Sequence, residues 1–445
     1  MKEKEILHDK KISKKYIYKK QNKKHMNNEK KEKRKEKIKK FDNVGKNENI
    51  IVETNDSNIT KNENCDDIKS HLNEYIKNSI SKKIPNISRN LKIDLFVAIP
   101  STIINNKSDV IKSYLSSYLA RIFTIFSISK IYIYDDHLRN EKYVNQQRNN
   151  IISNNSYNQN ENKCNNDKSD EKNSINFIRR NNDYSTNETK KEKSNEYSYL
   201  CKYLYYNLQY LETPQYLRKH LFPITNFLKN SGIMNPVDAP HHLRSDEWLP
   251  FREGVVVKRE LKGIIVDVGL FTNVFIKDEN FINTGTRVTV LLNSDSFKLF
   301  QKKNPKILLS GKLIHPTIPK LYNLYWGYSI EILKNVSDIF NLPVDYIIGT
   351  SERGKTIDDS ILSLKDTKSI LIVFGNKDGL EDLLIKEKEE KKKKNYSPEK
   401  KIKVLNKILK KFDLFINTCP FQTSRTIRTE EAISITLSLL HNILK

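Results

Sequence analysis

The sequence predicts an α/β protein with a mainly parallel sheet, interrupted by a small β-barrel. Three observations carry that expectation. Short apolar runs alternate with amphipathic helical stretches on either side of residues 250–325, the signature of strand–helix–strand units. Between about 250 and 325 the apolar period changes to two, punctuated by Gly254, Gly263, Gly269 and Gly285, as in small antiparallel barrels. The rest of the chain is Lys-, Asn-, Glu- and Ser-rich and has no sustained apolar period.

In chain order, Asp94–Pro100 (DLFVAIP) reads as a buried strand stopped by proline. Ile111, Leu115, Tyr118, Ile122 and Phe126 recur at steps of three and four, giving one apolar helical stripe. Lys130–Tyr134 is the next strand, stopped by Asp135 and Asp136. Tyr199–Leu211 is aromatic and helical, and Thr213-Pro214 reads as the N-cap and first turn of another helix. Val255/Val257, Ile264/Val266/Val268, Val274/Ile276 and Val288/Val290/Leu292 are barrel strands, most economically of an OB-like barrel with about five strands. Strands then follow at Tyr328–Leu333, Tyr346–Ile348, Ile370–Phe374 and Leu414–Ile416. A last helix runs from about Glu430 to Leu444.

The chain has 445 residues and a formal net charge of +25. Residues 1–40 carry +12, 41–90 carry −1, 139–197 carry +2 and 384–403 carry +5, leaving +7 for everything else. Those four stretches cannot bury enough apolar surface to offset the entropy of ordering, so they are expected to be disordered: a basic tail at 1–90, an Asn-rich insertion at 139–197 and a Lys-rich insertion at 384–403. The expected ordered parts are 91–250, the barrel 251–325, and 326–445. The cluster KEKRKEKIKK at 31–40 is either a nuclear-localisation or RNA-contacting patch or a merely solvated run, and the expected location is nucleus or nucleolus, with cytoplasm as the alternative.

Several classes are excluded. No apolar run is long enough for a membrane helix, and the charged start predicts no secretory leader. Cys65, Cys164, Cys201 and Cys419 form no CxxC pair, which excludes a zinc ribbon and a disulfide framework, so no metal is expected. GxGxxG and GxxxxGK[ST] are absent, and no Ser-His-Asp or Cys-His set is evident.

The chemistry is expected in three loops that follow neighbouring strands. They are Gly349–Gly354 (GTSERG), Phe374–Glu381 (FGNKDGLE) and Asn417–Glu431 (NTCPFQTSRTIRTEE). In a parallel sheet such loops crowd one edge. Four of the chain's 12 glycines fall in the first two, which suits close approach of backbone to a ligand. The start of the last helix, near Thr429, offers free N–H groups there.

These loops, together with YLETPQYLRKHLFP, DAPHH (Asp238–His242) and REGVV (Arg252–Val256), resemble the SPOUT-class RNA methyltransferases that carry an inserted OB-like barrel, in the subgroup of the SPOUT-domain centromere protein and its archaeal relatives. The resemblance implies a SPOUT fold with a C-terminal trefoil knot, a homodimer, no membrane, and S-adenosyl-L-methionine as cofactor. It implies RNA as substrate, with ribosomal RNA and N3 of a uridine as the target. A non-catalytic RNA-binding or spindle/kinetochore-associated scaffold retaining the fold is the alternative. By the same resemblance Thr350, Arg353, Gly375, Asn417, Gln422, Thr429 and Ala432 line the cofactor and Arg121 is catalytic; by their own chemistry Glu352 is a candidate catalytic base on a ring nitrogen, and the guanidinium forks of Arg425 and Arg428 suit RNA phosphates. Two positions depart from the family pattern: Phe421 and Thr423 flank Gln422 where Asn and Gly are usual, and Asn376 replaces a second glycine after Gly375.

Each residue also has a plainer reading. Arg121 can be a surface or interface arginine, and Arg425 can stabilise the knot through carbonyls. Glu352 can pair with an arginine, which is the favoured reading. His241 and His242 are adjacent and read as structural. Trp326 and Tyr328 read as the seal between barrel and sheet. Cys419 lacks a neighbouring histidine and is a poor nucleophile candidate.

Overall fold

The computed structural model describes residues 74–81, 93–136, 197–277, 282–303, 307–357 and 367–444. The basic cluster at 31–40 and all of the Asn-rich insertion but Tyr197 lie outside them. The expected α/β architecture is present. Six parallel strands form one sheet in the order β11-β9-β10-β1-β2-β8. They are β1 (Asp94–Pro100), β2 (Ile128–Tyr134), β8 (Ser329–Leu333), β9 (Tyr346–Thr356), β10 (Ser369–Val373) and β11 (Leu414–Asn417). Strand alternation supplies two apolar faces. Val97, Ile99, Ile131, Ile133, Ile370 and Ile372 face α1 (Asp109–Ile125), α2 (Tyr199–Glu212) and the C-terminal helix. Ala98, Tyr132, Tyr134, Leu371 and Val373 share the opposite core with Leu380, Leu383, Leu384 and Ile408. Burial on both faces is what a parallel sheet requires.

Between α3 (Gln215–Leu221) and β8 the chain closes a five-stranded barrel in the order β3-β4-β5-β7-β6, as the period of two predicts. Its strands are Phe251–Glu260, Gly263–Asp267, Val274–Ile276, Arg287–Leu292 and Leu309–Ile314, with α4 (Ser294–Lys302) between the last two. Thr213 caps the end of α2 rather than opening α3: its hydroxyl and its N–H both go to the Gln209 carbonyl.

Two stretches expected to be disordered are ordered. The Lys-rich stretch 384–403 lies within α5 (Leu380–Lys392) and α6 (Pro398–Leu409). Leu380, Leu383, Leu384 and Ile385 lay an apolar stripe on the sheet, and Ser397-Pro398 starts the second helix. The lysines occupy the water-facing sides, with Lys391 paired to Glu387 and Lys401 to Glu389. In the expected tail, residues 74–81 are helical and bury Ile76 and Ile80 against Leu243, Phe251 and Trp326.

The barrel is joined to the sheet layer by a buried ionic chain. Arg287 of β6 gives two hydrogen bonds to the Glu212 carboxylate at 2.7 and 3.0 Å, and its Nε donates to Glu253 at 2.6 Å. Glu253 also accepts from Thr289 and from the Trp326 indole, both at 2.6 Å. His241 and His242 donate to the Glu212 carbonyl at 3.0 and 2.7 Å, so the adjacent histidines are structural, as read from the sequence. Tyr328 donates to the Leu208 carbonyl at 3.0 Å, and both it and Trp326 seal the junction. Gly327, at φ +84°, passes so close that a Cβ would sit 2.3 Å from a Glu212 carboxylate oxygen.

These groups are tuned by their surroundings. Burial would raise the Glu212 carboxyl, but the Arg287 charge and the His241 hydrogen bond outweigh it and hold it well below the usual carboxylate range. Burial, with the neighbouring His241 ring, pushes His242 down to about 3. Both shifts act in the same direction. Below its ordinary value of 6.5 the unfolded His242 binds a proton that the folded one refuses, and below 4.5 the unfolded Glu212 does likewise. Stability is therefore expected to be full above about pH 6.5 and to fall steadily as pH drops below it. Glu212→Gln, which leaves the partly buried Arg287 half paired, should cost about 1–3 kcal/mol at neutral pH and make the acid limb shallower in urea-unfolding curves. An unchanged pH profile would remove Glu212 from this role.

Candidate functional site

The carboxyl edge of the sheet gathers the three expected loops, and the first has an unexpected form. Residues 350–354 are not a loop after a short strand but an excursion inside β9. Phe415 of β11 pairs with Gly349, and the next residue, Ile416, pairs with Lys355. The five intervening residues are pushed out of the pairing. Gly354 ends the excursion so close to β11 that a Cβ would lie 2.2 Å from the Ile416 carbonyl carbon. No other residue type fits there.

The second loop is pinned at three consecutive residues, by Tyr134 at the end of β2, by Asp136 just after it, and by Thr429 of α7. The Tyr134 hydroxyl of β2 donates to the Phe374 carbonyl. The Thr429 hydroxyl donates to the Gly375 carbonyl at 3.1 Å. The Asn376 amide donates to Asp136 at 2.9 Å, while its oxygen accepts from the Asp378 N–H at 2.9 Å. Gly375 itself folds back on its loop: a Cβ there would meet the Leu380 nitrogen at 2.5 Å. Asp136 is the hub of this edge. Besides Asn376 it accepts from the Ser101 hydroxyl and the Thr102 N–H, each at 3.0 Å, and from the Thr102 hydroxyl. Asp136 and Tyr134 were not among the expected site residues. The available signal was an Asp-Asp pair ending one strand beside Ser101-Thr102 ending its neighbour.

The third loop connects β11 to α7 (Thr429–Ile443). Asn417 ties it to the excursion, donating to the Glu352 carbonyl at 2.9 Å and accepting from the Cys419 N–H at 2.9 Å. Gln422 donates to the Ser424 carbonyl at 3.3 Å and to the Glu352 carboxylate at 3.4 Å. The structure therefore brings Glu352, Asn417 and Gln422 together, and separately Gly375 with Thr429. Thr350 donates to the Val373 carbonyl at 3.0 Å, joining excursion to second loop.

Other expectations are revised. Glu352 meets Gln422 and not an arginine. Arg428, not Thr429, is the N-cap of α7, and its N–H is taken by Glu431 at 2.9 Å. The Ala432 N–H already bonds the Arg428 carbonyl, so only the N–H groups of Thr429–Glu431 are open to a ligand. Arg353, Arg425 and Arg428 stand exposed at this edge. Arg121 lies on α1 with its guanidinium on the Pro236 carbonyl at 2.7 Å, away from the loops of its own chain. Cys419 is half-buried and lacks a paired histidine; no group of residues suited to a metal occurs among the described residues.

Beside the third loop, Thr418, Ser434, Ile435, Ser438 and Leu439 line an open depression of about 490 Å³. Tyr118 of α1 meets Ser434 at 3.1 Å, so this surface continues onto α1, where Ile111, Tyr114 and Ile125 are exposed.

Residues 94–440 match the family described as "Putative RNA methyltransferase". The chain is 33% identical over 357 residues to the 28S rRNA (uridine-N(3))-methyltransferase of Homo sapiens, covering 78% of this chain and 77% of the human one. It is 33% identical to the mouse protein of the same name over 356 residues, covering 78% and 75%. Against the Drosophila melanogaster protein of that name it is 36% identical over 246 residues, 54% of this chain and 46% of the fly protein.

Asp136→Ala would leave the Thr102 N–H, two hydroxyls and the Asn376 amide without their acceptor. At about 1–3 kcal/mol for each buried group left unsatisfied, the expected loss in urea unfolding exceeds that of a cavity of the same size. Asp136→Asn, which keeps an acceptor oxygen, should recover part of it; equal losses for the two would remove the hub role.

Proposed function

The chain belongs to this RNA methyltransferase family, and on that premise we propose that it transfers a methyl group from S-adenosyl-L-methionine to N3 of a uridine in large-subunit ribosomal RNA. The observation that carries the reading is the triply pinned peptide Phe374–Asn376 at the carboxyl edge of a parallel sheet, where such folds bind ligands. The residues fit the cofactor. The first turn of α7 offers unspent N–H donors beside the Gly375 carbonyl that Thr429 holds, and Thr350, Arg353, Asn417 and Gln422 lie in the loops of the same sheet edge. When bound, the cofactor supplies an electrophilic methyl carbon. The chain's own part is orientation and charge stabilisation. Glu352, exposed on the excursion and bonded by Gln422, is the carboxylate available to receive the N3 proton. Arg425 and Arg428 offer guanidinium forks to phosphates.

The same reading makes the sheet domain a SPOUT fold, with the third loop threaded past the second as a trefoil knot, and the barrel an OB-like RNA grip. The Thr429–Gly375 hydrogen bond and the flush contact of Gly354 with β11 support it. It also makes the protein a homodimer through α1 and α7, supported by the exposed Ile111, Tyr114 and Leu439 beside the depression. Arg121 would then approach the partner's site.

The direct test is incubation of the protein with ribosomal RNA and labelled S-adenosyl-L-methionine, followed by nucleoside mass spectrometry. The expected product is 3-methyluridine. RNA binding without transfer would favour the non-catalytic scaffold. Gly375→Val should bring cofactor binding below detection at millimolar ligand in calorimetry; retained affinity would move the cofactor elsewhere. Tyr114→Glu combined with Leu439→Asp should convert the dimer to monomer in sedimentation, and a persisting dimer would remove this face as the interface.

A further inference from the structure

The third loop carries a feature that the methyl-transfer reading leaves unused. Phe421 follows Pro420 at a turn and is 91% exposed, the side chain touching little of its own protein. A large aromatic held this far out of a core marks a contact surface more than a packing element. Its surroundings are basic. Arg353, Arg425 and Arg428 are exposed on the same edge, and Arg428 keeps only a 4.0 Å approach to Glu430. The loop is not slack. Gln422 bonds the Ser424 carbonyl at 3.3 Å and Glu352 at 3.4 Å, and the Ser424 hydroxyl bonds the Thr426 carbonyl at 3.1 Å. The ring therefore stands on the loop that Gln422 ties to Glu352, next to the proposed reacting centre.

We propose that Phe421 is a stacking platform for a base of the RNA substrate adjoining the reacting uridine, and so a substrate-specificity residue of this chain. An aromatic face amid arginines is the usual chemistry for unpaired nucleotides: the ring takes the base and the guanidinium groups take the phosphates. A uridine methylated at N3 must be unpaired, because N3 lies on its Watson–Crick edge, and its neighbour is then free to stack on protein. The proposal rests on the reading of this edge as an RNA methyltransferase site.

The test measures binding of the full chain to a short RNA hairpin with unpaired loop uridines by fluorescence anisotropy, with calorimetry of S-adenosyl-L-methionine in parallel. Phe421→Ala should weaken RNA binding about tenfold, and Phe421→Tyr should stay close to the parent. Cofactor affinity and sedimentation mass should be unchanged in both. The alanine penalty should vanish on a hairpin whose loop bases are abasic. Equal RNA affinity for parent and Phe421→Ala would overturn the proposal, as would a penalty that persists on the abasic hairpin. A change of mass in Phe421→Ala would assign the ring to a subunit interface and also overturn it. Phe421-dependent RNA binding in a protein that binds no cofactor would leave stacking standing and remove the methyltransferase reading.

Discussion

Two carboxylates and one guanidinium, Glu212, Glu253 and Arg287, hold the barrel to the sheet. The constraint begins with connectivity. The chain leaves the sheet layer after α3, builds a closed barrel, and must return in register so that β8 pairs with β2 and becomes the sheet's edge. A flexible tether would let the barrel adopt many orientations. A bidentate pair between partly buried Arg287 and buried Glu212 restricts them, since its geometry is narrow and a displaced arginine would strand the Glu212 charge away from water. The Trp326 indole and the two histidine rings complete the cluster with hydrogen bonds, the indole to the Glu253 carboxylate and the rings to the Glu212 carbonyl. The YLE, PHH and REG motifs of the sequence meet here. They serve orientation between domains, one step removed from the chemistry.

At the opposite pole of the sheet the same logic works with neutral groups. Loops at the carboxyl edge of a parallel sheet are free to move unless their backbone polar groups find partners. Here each of three successive residues finds one, from Tyr134 at the end of β2, from Asp136 just after it, and from Thr429 of α7. Asn376 is absorbed by this scheme, because both ends of its amide are used. The loop next to it has the reverse design. Phe421, which also departs from the family pattern, makes no use of the interior and faces outward.

Charge proved a poor guide to order. The Lys-rich stretch 384–403 was judged by composition, which counts lysines and ignores where they point. The stripe of Leu380, Leu383 and Leu384 is short, and its run of charge lies on the far side of the helix, so an average over the window hides the buried face. Residues 74–81 were misjudged for the same reason. Two isoleucines four apart are too little to announce a helix until Phe251 and Trp326 are seen to receive them. The basic patch at the site is built from Arg353, Arg425 and Arg428, which lie far from the strongly charged tail.

The sequence by itself determined the alternation of strands and helices, the barrel at 251–325, and the three loops that meet at one edge. These are local matters of period, glycine placement and motif, readable over a dozen residues. Only the tertiary structure decided that residues 350–354 are extruded from within β9, that Asp136 anchors the second loop, that Glu352 faces Gln422, and that Arg121 turns to Pro236. Each of those depends on two segments separated by tens or hundreds of residues arriving at hydrogen-bond distance. No local period encodes that arrival; it follows from closing the sheet and seating the barrel.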